Sequence, residues 1–222
     1  MKQLPFIFTL LILTACDFKS SEDYHKEANG LEKQKKYKEA IVILDKAIEK
    51  DPKNIKALLD RGVDKSIIED FKGSIIDYTR VIEIDHDNGL AFLNRGKNKK
   101  RIEDYTGAIA DFNEAISTKG GENLYLDKVE NSFIETGFEF DIKMEEIRFE
   151  RGIAYYNIDS LKKALDDFNF SLQKNFALSD SYYWRGLIYI RYNMKSEGCN
   201  DLNKARELGD PDAKVLIDKN CK

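Results

Sequence analysis

The chain has 222 residues, with 36 basic and 40 acidic side chains. That length holds one sizeable core or an array of repeats. The acidic balance excludes the basic excess expected of a nucleic-acid-binding protein.

The chain opens MKQLPFIFTLLILTAC. Lys2 precedes an apolar run from Leu4 to Leu13, too short for the roughly 20 residues of a spanning helix and suited to the core of a secretory signal. The run ends Leu13-Thr14-Ala15-Cys16, which resembles the bacterial lipobox. The resemblance implies that residues 1–15 are a lipoprotein signal peptide and that Cys16 is lipidated; the other reading is an ordinary signal with an incidental cysteine. Without residues 1–15 the chain loses only Lys2 among its charges, leaving 35 basic and 40 acidic side chains and a net of −5. No later apolar run is long enough to span a membrane, so the expected anchor is lipid alone. Residues 16–20 form a lipidated tether, and five residues reach at most about 18 Å. The first folded unit is expected close to a membrane surface of the cell envelope; Asp17 favours inner-membrane retention under one sorting rule, and the choice between inner and outer membrane stays open.

From residue 21 the chain repeats. Arg61-Gly62, Arg95-Gly96, Arg151-Gly152 and Arg185-Gly186 are spaced by 34, 56 and 34 residues. Units of 34 residues run 21–54, 55–88 and 89–122; after a segment 123–144 they resume as 145–178 and 179–212. Position 8 is small throughout (Ala28, Gly62, Gly96, Gly152, Gly186). So are position 20 (Ala40, Ser74, Ala108, Ala164, Gly198) and most of position 27, while position 24 is large (Leu44, Tyr78, Phe112, Phe168, Leu202). Positions 4, 7, 8 and 11 share a face of one helix and 17, 20, 24 and 27 a face of a second, by the 3.6-residue period. Each glycine marks the closest approach of the two helices, where packing outweighs its propensity cost of about 1 kcal/mol.

This pattern resembles the tetratricopeptide repeat (TPR) and covers nearly all of the chain beyond the signal. The resemblance implies an all-α, right-handed solenoid of five helix-turn-helix units. Departures are Lys65 and Lys99 at the often aromatic position 11, and a proline near position 32 retained only as Pro52, with Pro211 one place late.

Position 7 is arginine and position 23 aspartate in units two to five; unit one has Glu27 and Ile43 instead. Appearing and vanishing together, they are expected to form ion pairs within each unit: Arg61–Asp77, Arg95–Asp111, Arg151–Asp167 and Arg185–Asp201. The alternative is that the arginines line a ligand groove, although a ligand site rarely needs four equal copies.

In the insertion 123–144, Phe138, Phe140 and Ile142 alternate with acids, a strand signal; a loop or small hairpin is expected, as spacer or lid. Residues 213–222 carry Ala213, Leu216 and Ile217 at helical spacing and read as a capping helix. Cys199 and Cys221 fall at similar heights on antiparallel helices, each about 12–15 Å from the shared turn, so either a disulfide or two free thiols is open.

In the family, first-helix positions 2, 5, 9, 12 and 13 line a concave groove. Transferred here, they give a mild N-terminal surface (His25, Asn29, Leu59, Val63, Ser66). A basic centre follows at Lys97, Lys100 and Arg101, then an aromatic-aliphatic end at Phe149, Ile153, Tyr156, Tyr183, Leu187 and Ile190. That suits a segment of another envelope protein with apolar anchors and acidic flanks. The same residues also admit bland readings: a solvated face for the basic run Lys97–Arg101 and packing for the aromatics. The two-carboxylate clamp of chaperone-binding members is absent, because Asp60 stands where it needs asparagine.

No phosphate loop, nucleophile elbow or HExxH is present. His25 and His86 are the only histidines, and Asp85-His86-Asp87-Asn88 fits a polar turn better than a metal site. No enzyme activity, cofactor or metal is therefore expected. The function expected is a lipid-anchored scaffold that binds a protein or peptide, as an accessory to envelope assembly or secretion. A self-associating structural protein, or a glycan binder stacking sugars on Tyr156, Tyr183 and Trp184, are the alternatives.

Overall fold

The computed structural model describes residues 18–118 and 143–221. They form eleven helices, α1 (Ser21–Glu32), α2 (Tyr37–Lys50), α3 (Ile55–Ile67), α4 (Phe71–Ile84), α5 (Gly89–Arg101), α6 (Tyr105–Ser117), α7 (Met144–Asn157), α8 (Leu161–Gln173), α9 (Leu178–Arg191), α10 (Lys195–Glu207) and α11 (Ala213–Asn220). The first ten are five antiparallel pairs stacked in order, and α11 packs on α10. The signal, Cys16 and nearly all of the insertion lie outside the described residues. Met144, counted with the insertion in the sequence, instead begins α7.

The same local chemistry builds every unit. Each first helix ends at position 15 in the left-handed region, at Lys35, Glu69, Glu103, Asp159 and Asn193. The next N–H reaches back five residues: Lys36 to Leu31, Asp70 to Lys65, Asp104 to Lys99, Ser160 to Tyr155 and Met194 to Tyr189, at 2.8–3.0 Å. This closing turn satisfies orphan carbonyls and reverses the chain. Capping starts the helices: Ser20 and Asp23 form a capping box on α1, and Asn54 and Asn88 accept from the third residue of α3 and α5. Asp70 and Asp104 cap α4 and α6 by accepting from Gly73 and Gly107, where any Cβ would lie 2.1 Å from the capping carboxylate.

The small position 8 faces the large position 24. A Cβ on Gly62 would sit 2.8 Å from the Tyr78 ring, one on Gly96 2.7 Å from Phe112, and one on Gly152 3.1 Å from Phe168. In unit one Ala28 faces Leu44, both fully buried, so the methyl is tolerated where the partner is not aromatic. The main core runs continuously from α1 to Ile147 and Ala154 of α7, crossing the joint that residues 119–142 interrupt in the sequence. A second cluster, centred on Phe149, Phe168 and Ile188, fills α7 to α9.

Candidate partner-binding groove

The position-7 arginines form a repeated clasp. Arg95 donates through Nε and Nη2 to both oxygens of Asp111, at 2.9 and 2.7 Å. Arg61–Asp77, Arg151–Asp167 and Arg185–Asp201 are bidentate in the same way. All four aspartates are buried. The third donor, Nη1, reaches position 25 of the preceding unit every time: Asp45, Thr79, Asn113 and Asn169. Each arginine therefore fastens its own helix pair and the pair before it.

Position 11 completes the clasp, and its departures from the family pattern acquire a reason. Lys65 and Lys99 are second cations on Asp77 and Asp111, each at 2.8 Å. In unit four Arg148 takes that part on Asp167, while Tyr155 at position 11 lies against Arg151; in unit five Tyr189 lies against Arg185. The arginines thus belong to the joints and not to a ligand groove.

Consecutive first helices touch along the inner side of the stack: α3 with α5, α5 with α7, and α7 with α9. This is the concave wall expected of stacked helix pairs. Its three regions differ from the sequence reading.

The centre is not free. Lys97 donates to Glu146 at 2.5 Å and Lys100 to Glu150. Asn98 is buried between Ser66 and Ser74, and Lys99 is in the clasp. Of the basic run only Arg101 is exposed. The lysines stitch α5 to α7, so the expected basic centre is largely neutralised by carboxylates some fifty residues later.

At the C-terminal end, Phe149 turns inward, edge-on to Phe168 and Phe176. Ile190 leans toward α10, its Cδ1 2.8 Å from where a Cβ on Gly198 would fall, and stays half-buried. Tyr156 and Tyr183 flank Trp184 at 5.1 and 5.6 Å, and Trp184 stacks on Phe168. Ile153, Tyr156, Tyr183 and Leu187 remain half-buried and available on the wall. Burial, and then Asp212 and Asp210, push the Tyr183 phenol up. The solenoid is closed beyond this end by α11, and Cys199 and Cys221 are joined in a disulfide with Cα atoms 5.7 Å apart, an ordinary separation.

The N-terminal end is not mild. His25 lies 2.6 Å from Asp60, and both are largely enclosed. Further along the same seam, Glu32 of α1 faces Asp64 of α3, which is only 2 % exposed. Burial, and then the charge of Asp60, raise Glu32 to about 7, against a smaller opposing effect of His25. Burial, and then Glu32 and Asp60, raise Asp64 to about 8. Glu32 and Asp64 bond to each other, which two carboxyl groups do by sharing a proton. Among the described residues there is no other donor to Glu32 Oε1 or Asp64 Oδ2, nor any to Asn29 Oδ1, and a buried acceptor left so costs about 1–3 kcal/mol. The sequence contained the signal: Asp60 and Asp64 are one helical turn apart, as are Asn29 and Glu32, but such spacing also describes a solvated face.

Paired helices with this closing turn, small-to-large contact and concave wall define an α-solenoid of tetratricopeptide type. Solved structures share it. YrrB, described as a TPR protein with an unusual peptide-binding site, is 19% identical, with a TM-score of 0.71 over 90% of this chain and 92% of its own. MamA from Desulfovibrio magneticus RS-1 is 12% identical, with a TM-score of 0.70 over 85% and 94%. Pseudomonas aeruginosa PilF is 17% identical, with a TM-score of 0.66 over 89% and 80%. At these identities the likeness is one of fold. The sequence matches no family model and no curated relative.

Proposed function

We propose that this protein is a lipid-anchored scaffold of the bacterial cell envelope that holds a segment of another envelope protein against its concave wall, as an accessory to assembly or secretion. The fold supports protein–protein interaction as the general role. The observation that carries the reading is the wall itself. Touching first helices present half-buried apolar side chains at one end and, among the described residues, buried acceptors without a hydrogen-bond partner at the other, a combination that serves binding better than folding. YrrB, of the same fold, is described as having a peptide-binding site. The lipid anchor rests on the sequence around Cys16. The Cys199–Cys221 disulfide fits an oxidising compartment such as the periplasm. No helix among the described residues is long and apolar enough to cross a membrane.

Two measurements test this. A Cys16→Ala variant should leave the membrane fraction and lose lipid label; retention of both would remove the anchor. A photo-crosslinker at Tyr183, on the wall, should trap a protein partner in intact cells, and one at Val42, exposed on α2, should not. Equal trapping at both positions would remove the groove.

A further inference from the structure

All three buried side-chain oxygens or nitrogens that lack a hydrogen-bond partner among the described residues lie at the α1–α3 end of the wall, and all three are acceptors: Asn29 Oδ1, Glu32 Oε1 and Asp64 Oδ2. His25, Asn29 and Glu32 occupy one stripe of α1, at spacings of four and three residues; Asp60 and Asp64 occupy the facing stripe of α3. One repeat further along, the same place is fully satisfied. Asn98 stands where Asp64 stands, accepts from Ser66, the counterpart of Glu32, and donates to Ser74, the counterpart of Ala40. The neutral Ser–Asn–Ser bridge closes the α3–α5 seam. Among the described residues, its acidic counterpart has no donor beyond the proton that Glu32 and Asp64 share.

We propose that this acidic seam takes one basic side chain, arginine or lysine, from the segment bound along the wall, with Glu32, Asp64 and Asn29 as its acceptors beside the His25–Asp60 pair. The proposal rests on the groove reading above and names what its N-terminal end selects. The missing species is a donor that also carries positive charge. Among the described residues no group of three such side chains converges to hold a metal ion. A guanidinium spreads five donors over a planar fork and suits acceptors distributed between two helices. Three lysines of the neighbouring helices are committed elsewhere, Lys97 and Lys100 to α7 and Lys65 to Asp77.

Without a partner, the proton shared by Glu32 and Asp64 stands in for that cation. Binding expels it to solvent and replaces it with the guanidinium or ammonium. The charges felt at the pair are those of His25 on α1 and Asp60 on α3; burial and the nearby aspartates keep the Tyr78 phenol of α4 neutral, and α5 contributes the neutral Asn98. His25 is the only basic group in that set. Affinity therefore rises with pH through the range in which the pair would otherwise keep its proton.

The test uses the whole mature chain in mild detergent and two acetylated, amidated peptides, Leu-Arg-Ala-Leu-Phe and the same sequence with citrulline, the uncharged isostere of arginine. Calorimetry at pH 8 should give about tenfold tighter binding of the arginine peptide, with proton release that shows as a dependence on buffer ionisation enthalpy. The preference should shrink at pH 5.5 and disappear in Glu32→Gln/Asp64→Asn, near-isosteric changes whose folding is checked by circular dichroism. Equal affinity for the two peptides, binding of neither, or a preference that survives in the double variant would each overturn the proposal. Cross-linking at Tyr183 is scored separately. If it persists while the arginine preference fails, the acidic seam is lost as a binding site and the groove reading stands.

Discussion

Unit one and units two to five are built on the same helix-turn-helix frame and held together differently. The later units each carry a bidentate Arg–Asp clasp, reinforced at position 11 and extended to the unit before. Unit one has Glu27 and Ile43 in place of the clasp, and its seam with unit two carries His25–Asp60 and the Glu32–Asp64 pair. Where the array must only stack, every buried charge has its counter-charge. Where carboxyl groups are buried without one, the arrangement costs stability and is better explained by something it binds.

Removing one side of the clasp should break this contrast most strongly. Asp111→Ala strands Arg95 and Lys99 and should cost about 3–5 kcal/mol in urea unfolding. Replacing Arg95 and Asp111 together by leucine should recover much of that loss, because the pair fixes register more than it adds net stability. Ile43→Ala in unit one removes only a partly buried aliphatic and should cost less.

Gly96→Ala should cost about 1–3 kcal/mol, since the new methyl meets the Phe112 ring at 2.7 Å. Adding Phe112→Leu, which recreates the Ala28–Leu44 arrangement of unit one, should restore part of the loss in the same thermal melt. An additive double variant would break the match between position 8 and position 24.

The acidic seam should respond to pH with the opposite sign to an ordinary surface carboxylate. Glu32 and Asp64 keep their proton when folded, to about 7 and about 8, whereas unfolded they release it near 4. Their contribution is therefore least unfavourable below pH 4, and stability declines as pH rises from there to about 8. Glu32→Gln removes most of that decline and gives Asp64 an amide donor. Its melting temperature relative to wild type should increase from pH 5 to pH 8, by on the order of 4 °C.

The smallest effect belongs to the closing turns. Glu103 holds a left-handed φ of 64° that costs a side-chain-bearing residue strain. Glu103→Gly relieves it at the expense of unfolded-chain entropy and should stabilise by about 0.5 kcal/mol. The same change at Lys35 should do as much, because this part of the frame is common to both regions.

The repeat phase, the helices, the glycine contacts and the co-occurrence of arginine with aspartate were legible in the sequence because each is local or recurs at a fixed interval. The reach of Nη1 to position 25 was not, since Asp45, Thr79, Asn113 and Asn169 share only an accepting oxygen and no residue type. The groove was read least well. Lys97 and Lys100 looked like a free basic patch because Glu146 and Glu150, which neutralise them, follow a break in the repeat. Phe149 looked available because helical periodicity assigns a face but not the direction in which a large side chain turns. The acids of the first seam escaped notice because burial, not composition, distinguishes Asp64 from a solvated aspartate.

Arg151 finds Asn113 at 2.8 Å across residues 119–142 just as Arg95 finds Thr79 across an uninterrupted turn. Stacking is thus addressed by the surfaces of the units and not by the tether between them. The α6–α7 junction works as a plug and socket: unit four seats on unit three by the same kind of contact that seats unit three on unit two, and the core continues across it.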